Sequence, residues 1–406
     1  MSLQQTPSGE RLHIGFFGQR NAGKSSLVNA ITGQEMSVVS ETKGTTTDPV
    51  RKAMELLPLG PVLIIDTPGF DDVGTLGSLR VQKTRAILRE TDLAVLVVDA
   101  SIGLTPPDHK LIRLFQEQGT PFIIVFNKAD LLTSPLTSHN SHEISVSAAT
   151  GSHIRECKEL IARMMPQHKN CKLLEDLISP GDVVVLVTPI DAAAPKGRLI
   201  LPQVQAMRAI LDANGIAVTA QKTELPQALQ SMCKAPDLVI TDSQTFDYVS
   251  QIIVPEIPLT SFSILFARYK GFLGCAVEGV HVLEQLPAGA RILVAEGCSH
   301  HRQCGDIGTA KLPRWIQTHA GKEFQFEFCS GHDFPEELEP YDFILHCGGC
   351  MLNEAALLSR MRLAQSQHRP FTNYGVLIAH MNNILNRCLL NGRLVDAKQA
   401  KTLDNM

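Results

Sequence analysis

The run His13–Phe17 breaks into Gly18-Gln19-Arg20-Asn21-Ala22-Gly23-Lys24-Ser25, and a helical pattern opens at once with Ser25-Ser26-Leu27-Val28. A strand that passes through a glycine-bounded turn into a helix, with a lysine and a hydroxyl at the end of the turn, matches the phosphate-binding loop. Backbone N–H groups of such a loop surround phosphate oxygens, Lys24 adds a point charge at the outer phosphates, and the Ser25 hydroxyl can ligate Mg²⁺. The loop commits its surroundings to a P-loop fold, with a largely parallel sheet between helices.

Three further motifs follow in the order that a guanine nucleotide requires. Asp66-Thr67-Pro68-Gly69 ends a second strand, where the carboxylate can hold Mg²⁺ through water and the Gly69 N–H can meet a γ-phosphate. Asn127-Lys128-Ala129-Asp130 ends another, and Asp130 can accept from both N1–H and the 2-amino group of guanine. Adenine offers neither donor, and a carboxylate left unpaired rejects the wrong base by roughly 10⁴–10⁵. Ser147-Ala148-Ala149 resembles the loop whose backbone touches the guanine edge. The expected GTP site therefore comprises Gly18, Asn21, Ala22, Gly23, Lys24, Ser25, Ser26, Asn127, Lys128, Asp130, Ser147, Ala148 and Ala149. Lys24, Asp66 and Gly69 act on the reacting phosphate. Between the loop and Asp66, Lys43-Gly44-Thr45-Thr46-Thr47-Asp48 supplies a switch threonine for Mg²⁺, Thr46 first and Thr45 second. Phe70 stands where Ras-like enzymes carry a water-orienting glutamine, so intrinsic hydrolysis should be slow. Asp71 and Asp72 read as solvated loop acids, which leaves the general base unassigned.

Alternation of short β-branched runs with helical patterns continues along the 406 residues. The expected fold is α/β with three domains, each a largely parallel sheet with flanking helices. Their spans are 8–170 (the P-loop GTPase fold), 175–262 and 263–406. Met164–Ile178 reads as a helical linker, Asn353–Leu363 as a helix, and Gly375–Leu390 as a C-terminal helix. Apolar positions in Arg198–Ile210 fit either a buried helix or a partner-facing surface.

Lys+Arg 37 against Asp+Glu 41 gives a net charge of -4, which disfavours bulk nucleic-acid binding. The longest apolar runs, such as Leu93–Val98 and Val183–Val187, fall far short of the ~18 residues of a membrane span. The amino terminus lacks a signal-peptide pattern, so a cytoplasmic, reducing location is expected. Ten cysteines are then candidate metal ligands where they group.

Two groups do. Cys298-Ser299-His300-His301 follows the strand Arg291–Ala295, and His346-Cys347-Gly348-Gly349-Cys350 follows the strand Asp342–Leu345. Carboxyl ends of parallel strands form one crevice, so the groups can converge. Three thiolates, Cys298, Cys347 and Cys350, suit either a zinc ion or an iron–sulfur cluster, with His300, His346 or a removable ligand at the fourth position of a cluster. Cys304 and Cys329 stand behind these, and Cys157, Cys171, Cys233, Cys275 and Cys388 read as structural.

The motifs of residues 10–165, with Asn21-Ala22-Gly23-Lys24-Ser25-Ser26-Leu27-Val28-Asn29 and Gly44-Thr45-Thr46, resemble the TrmE–Era–EngA–Septin class of GTPases. That resemblance implies a K⁺ ion held by Asn21 and K⁺-stimulated hydrolysis. Across nearly the whole chain, those motifs together with Cys298, His300, His346, Cys347 and Cys350, and the stretch Gly305-Asp306-Ile307-Gly308, resemble the HydF family of [FeFe]-hydrogenase maturation GTPases. The resemblance implies a homodimer formed by the middle domain and a [4Fe–4S] cluster in the third. It also implies a scaffold or carrier role in which a di-iron precursor, built with radical-SAM hydrogenase maturases, is delivered to apo-[FeFe]-hydrogenase. The competing reading is a tRNA-modification or ribosome-assembly GTPase with a zinc-stabilised carboxyl-terminal module, and a blander one is a zinc-stapled GTPase without cargo.

Overall fold

The computed structural model describes residues 6–33, 49–70, 75–132, 140–166, 172–190, 199–297, 307–331 and 333–395, with the side chains of 75–80 left aside. Two compact units divide the chain, Met1–His168 and Lys169–Met406.

In the first unit β1 (Leu12–Phe17), α1 (Lys24–Thr32), β2 (Val50–Leu56), β3 (Gly60–Asp66), α2 (Thr75–Arg89), β4 (Leu93–Asp99), α3 (Pro106–Gln118), β5 (Phe122–Asn127), β6 (Glu143–Ser145) and α4 (Ile154–Met164) follow in order. The sheet order is β2-β3-β1-β4-β5-β6, with β2 antiparallel to β3 and the other pairings parallel. Alternate residues feed opposite layers. Phe16, Val95 and Val97 pack on one side with Leu27 of α1 and Leu160 of α4. Phe17, Leu96 and Val98 pack on the other with Leu88 of α2 and Phe115 of α3. Burial on both faces explains why β4 reads as an unbroken apolar run.

The second unit carries two four-stranded parallel sheets. The first, β10-β9-β7-β8, comes from β7 (Val183–Val187), α5 (Leu201–Asp212), β8 (Ile216–Ala220), α6 (Leu225–Gln230), β9 (Leu238–Thr241), α7 (Phe246–Ile252) and β10 (Leu259–Ser261). Helices α8 (Phe262–Tyr269) and α9 (Leu273–Val280) lead into the second sheet, β12-β11-β13-β14. It is built from β11 (Arg291–Glu296), α10 (Leu312–Ala320), β12 (Gln325–Ser330), β13 (Phe343–His346), α11 (Glu354–Ser366), β14 (Phe371–Asn373), α12 (Tyr374–Met381) and α13 (Leu385–Cys388).

Both sheets draw on one continuous apolar core running from Leu173 to Leu394. Hydrogen bonds stitch them where β10 and β14 end. Asn373 Nδ2 donates to the Ser263 carbonyl at 3.0 Å, and the Gly375 amide donates to Ser263 Oγ at 3.2 Å.

Two sequence expectations change here. Residues 172–182 form turns, so the described part of Met164–Ile178 beyond α4 is not a helical linker. What holds it is tertiary: Arg268 of α8 forms a bidentate ion pair with Asp176 and donates to the Lys172 carbonyl at 3.2 Å. The expected helix Gly375–Leu390 is two helices, α12 and α13, parted at Asn383, whose φ of 57° no helix accepts.

Candidate functional site

The phosphate loop sits where sequence places it, between the carboxyl end of β1 and the start of α1. Gly23 has φ 88°, and a Cβ there would lie 2.3 Å from Asn127 Nδ2, so only glycine permits this approach. Lys24 is 8% exposed and curls back over the loop, donating to the carbonyls of Gly18 (3.0 Å) and Gln19 (2.8 Å). The Ser25 hydroxyl donates to Asp66 Oδ2 at 2.6 Å, joining the loop to the end of β3. The Thr67 hydroxyl and the Phe70 amide bond the carbonyls of Phe16 and Gly18, which keeps Gly69 against Arg20. Phe70 is buried, so its ring packs in the core.

Burial pushes the Asp66 carboxyl above its ordinary value, against the Ser25 hydrogen bond and the Lys24 charge, which act to lower it. Its second oxygen, Oδ1, is buried with no hydrogen-bond partner among the described residues. A carboxylate with one satisfied and one orphaned oxygen beside a serine hydroxyl fits Mg²⁺ held through water. Thr46, the expected switch ligand, and Thr45, Asp71 and Asp72 lie outside the described residues.

Asn127, 2% exposed, connects three loops. Its Nδ2 donates to the Ala22 carbonyl at 3.1 Å, and its Oδ1 accepts from the Ala148 amide at 3.0 Å. Asp130 is exposed and accepts from the Ser147 hydroxyl at 2.5 Å, so the carboxylate and the Ser147-Ala148-Ala149 loop face one position. Lys128 pairs with Asp99 at 2.6 Å. Burial would raise the Asp99 carboxyl, but hydrogen bonds from Lys128 and Ser101 hold it below the ordinary value.

Sequence reasoning missed Asp99 and Asp108. Asp108 caps α3 by accepting from the Thr105 amide at 3.0 Å, and also takes the Gln19 amide at 2.8 Å, tying the phosphate loop to that helix. The signal was present as Thr105-Pro106-Pro107-Asp108, a capping-box spacing.

In the second unit β11 and β13 are parallel neighbours, with Ala295 opposite His346. The residues that follow each strand meet: the Gly297 amide donates to Cys347 Sγ at 3.0 Å, and the Gly349 amide does so at 3.4 Å. Gly349, at φ 67°, lets the turn close against Leu357. Burial pushes the Cys347 thiol up, countered by those two amides, and pushes Cys350 up to about 12. A bound cation stabilises the thiolates and so displaces protons that such thiols otherwise keep at neutral pH. Two sulfurs on one tight turn, with backbone N–H groups already aimed at one of them, fit a zinc ion or an iron–sulfur cluster. Cys298, the next residue after Gly297, and His300, His301 and Cys304 lie outside the described residues.

His346 does not offer a ligand nitrogen. It is fully buried, and its Nε2 lies 3.0 Å from Arg360 Nη1. Arginine only donates, so Nε2 accepts and Nδ1 carries the proton, donated to the Cys347 carbonyl at 2.8 Å. Burial first, and the Arg360 charge second, lower the imidazole to about 3. The expected fourth ligand is thus a neutral brace that fixes the cysteine turn. Arg360 of α11 also donates to the Gly331 carbonyl. Cys329 lies one residue before the end of β12, opposite Ala295 of β11, and burial pushes its thiol up to about 11. Cys157 and Cys388 are buried, as structural cysteines should be, while Cys233 is exposed.

Residues 13–128 match the 50S ribosome-binding GTPase family model. The hydrogen maturase F dimerization domain matches residues 173–271, and the hydrogen maturase F tetramerization domain matches residues 274–391. The chain belongs to the hydrogen maturase F family. This family member is also similar to the tRNA modification GTPase MnmE of Nitrosospira multiformis, 33% identical over 38% of this chain and 35% of that protein. GTPase Der of Kosmotoga olearia is 38% identical over 30% of this chain and 29% of its own length. The chain therefore spans about a third of the curated relatives it matches. A crystal structure of an Aquifex aeolicus Era variant bound to GDP.AlF4- aligns with 54% of this chain and 97% of its own, at 19% identity and a TM-score of 0.34. No helix among the described residues is long and apolar enough to cross a membrane.

Proposed function

We propose that this chain is a GTP-binding and GTP-hydrolysing scaffold that holds a [4Fe–4S] cluster on Cys298, Cys347 and Cys350 and assembles or delivers a di-iron precursor to apo-[FeFe]-hydrogenase. The observation that carries the reading is the Gly297 amide on Cys347 Sγ, which brings the residue before Cys298 into contact with the other thiol turn. Bound there, the cluster would supply an iron corner, not held by cysteine, for cargo. The chain's own part is to fix the turn: His346 and Arg360 brace it from below, and the Gly297 and Gly349 amides offset the negative charge of the Cys347 sulfur.

In the first unit Lys24, Ser25, Asp66 and Gly69 handle the phosphates and Mg²⁺, with Thr46 completing the metal's shell in the GTP state. Asp130, with the Ser147 loop, reads guanine. Asn21, exposed and at φ 64° in the loop, is the residue proposed to hold K⁺. The γ-phosphate orders the segments around Thr46 and Asp66, and their release on hydrolysis changes affinity for the radical-SAM maturases or the hydrogenase. The chain works as a homodimer through the first sheet of the second unit, with a tetramer as the higher assembly. Exposed Val204 and Leu211 on α5 and Ile216 on the edge strand β8 support this, since apolar groups on an unpaired sheet edge favour association.

Metal analysis of anaerobically purified protein tests the core of the reading. Iron with sulfide and broad visible absorption is expected, and stoichiometric zinc without colour would overturn it in favour of a zinc-stabilised GTPase. Equal partner affinity in the GTP, GDP and nucleotide-free forms would remove the switch role.

A further inference from the structure

Three donors outside both sites converge on one point of the second unit. His319 Nε2 and His380 Nε2 each lie 3.0 Å from the same atom, Glu284 Oε1, and the three ligand atoms all lie within 4.8 Å of one another. They come from separate segments: Glu284 from the short turn before β11, His319 from the last turn of α10, and His380 from the last turn of α12. The ring of His281, just past α9, stands edge-on to His380 with centroids 5.4 Å apart.

We propose that Glu284, His319 and His380 form a binding site for a divalent transition-metal ion, with Zn²⁺ the ion that their chemistry fits best.

The geometry is close to what that ion needs. Tetrahedral zinc ligands at about 2.1 Å from the metal stand about 3.4 Å apart, so the observed 3.0 Å pairs open by only a few tenths of an ångström to admit it. Two imidazoles and one carboxylate make a borderline donor set that favours zinc over Mg²⁺ or Ca²⁺, which prefer all-oxygen shells. Water completes the fourth position. Both histidines sit at helix carboxyl ends, where the backbone carbonyl dipoles favour a cation. Lys322 fixes the Glu284 turn by donating to the carbonyls of Glu284 (3.2 Å) and Leu286 (2.9 Å), so the carboxylate is presented from a held backbone. The Glu284 side chain is 49% exposed and His319 is 26% exposed, which leaves an entry path.

The site is distinct from the thiol turn. Gly297 and Cys347 follow the carboxyl ends of β11 and β13, whereas Glu284 precedes β11, and α10 and α12 run back from the carboxyl edge before reaching their histidines. The length of β11, about 20 Å, separates the two edges. A metal here would clamp α10, α12 and the entry to β11, the frame on which the cysteine turn is mounted.

The test uses the full chain without a polyhistidine tag, with Cys298, Cys347 and Cys350 each changed to Ser so that the thiol turn takes no zinc. Chelator-treated protein is titrated with Zn²⁺ against a chromophoric competitor in the presence of Mg²⁺ and GDP. One Zn²⁺ per chain with micromolar or tighter affinity is expected. His319→Ala and His380→Ala should each weaken it at least about 100-fold and Glu284→Gln about tenfold, while His109→Ala, an exposed histidine of the first unit, changes nothing. X-ray absorption of the zinc-loaded parent gives a reading independent of how the variants fold: an imidazole-bearing nitrogen and oxygen shell supports the site. A sulfur shell, no binding, or binding that survives both histidine changes would overturn it.

Discussion

The Gly297 amide points at the Cys347 sulfur across 3.0 Å, although fifty residues separate them in the chain. The contact exists because β11 and β13 are adjacent and parallel, so their exits share one edge. Replacing Cys347 by Ser leaves a hydroxyl oxygen that can accept from the Gly297 and Gly349 amides but removes a proposed thiolate ligand. Anaerobically reconstituted Cys347→Ser should lose most of its iron and visible absorption, with its GTP hydrolysis rate within about twofold of the parent. Retention of full iron would contradict the ligand assignment.

Asn127 links the phosphate loop to the guanine loop through Ala22 and Ala148. Asn127→Ala leaves a buried carbonyl and a backbone amide without their partner, which costs about 1–3 kcal/mol. Denaturant unfolding should show the loss, and a fluorescent guanine nucleotide should bind at least about tenfold more weakly.

Asp130 is the residue proposed to accept from the two donors of guanine, so Asp130→Asn should weaken GTP at least about a hundredfold in competition assays. Xanthosine nucleotides, with a carbonyl oxygen at position 2, should gain on GTP in the same assay. An unchanged preference for guanine would show that Asp130 does not read the base.

Hydrolysis measured in K⁺ and in Na⁺ tests Asn21. The rate should be higher in K⁺, and Asn21→Gly, which keeps the left-handed backbone that Asn21 adopts at φ 64°, should bring it down to the Na⁺ rate. Equal rates in the two salts for the parent would count against a K⁺ role.

The Arg268–Asp176 pair gives a pH signature. Burial pulls the Asp176 carboxyl up, but the Arg268 hydrogen bonds and charge outweigh this and hold it below its ordinary 3.8. With the folded value depressed, the stabilisation is complete above the unfolded value near 4 and fades as pH falls through the folded one. The Asp176 side chain is 41% exposed, so solvent screening limits the effect. Asp176→Asn should cost under about 1 kcal/mol at pH 7. The difference from the parent should shrink in unfolding curves as the pH is taken below the unfolded value and through the depressed folded one.

The nucleotide motifs were legible because each is a short stretch at the end of a strand, and strands buried on both faces, such as Leu93–Asp99, announce themselves as apolar runs. The strand Val50–Leu56 hid because an exposed antiparallel edge tolerates Arg51, Lys52 and Glu55. β10 and β14 hid because three residues carry no periodicity. His346 was misread for a different reason. Its place beside Cys347 looks like a ligand pattern, but its ring is committed to Arg360 fourteen residues away, a partner that only the packing of α11 supplies. Glu284, His319 and His380 have no local pattern at all, since their meeting depends on where two helices end.

The core shared by the two sheets of the second unit leaves that half of the chain without a seam. A fragment beginning at residue 263 would strip Val239, Ile240 and Leu259 from the core they share with the second sheet and expose a raw greasy wall to water. The thiol turn therefore cannot be transplanted as a module. A load on the edge of the first sheet is carried through this close packing to the frame behind Cys347 and Cys350, so the two sheets respond as one mechanical body.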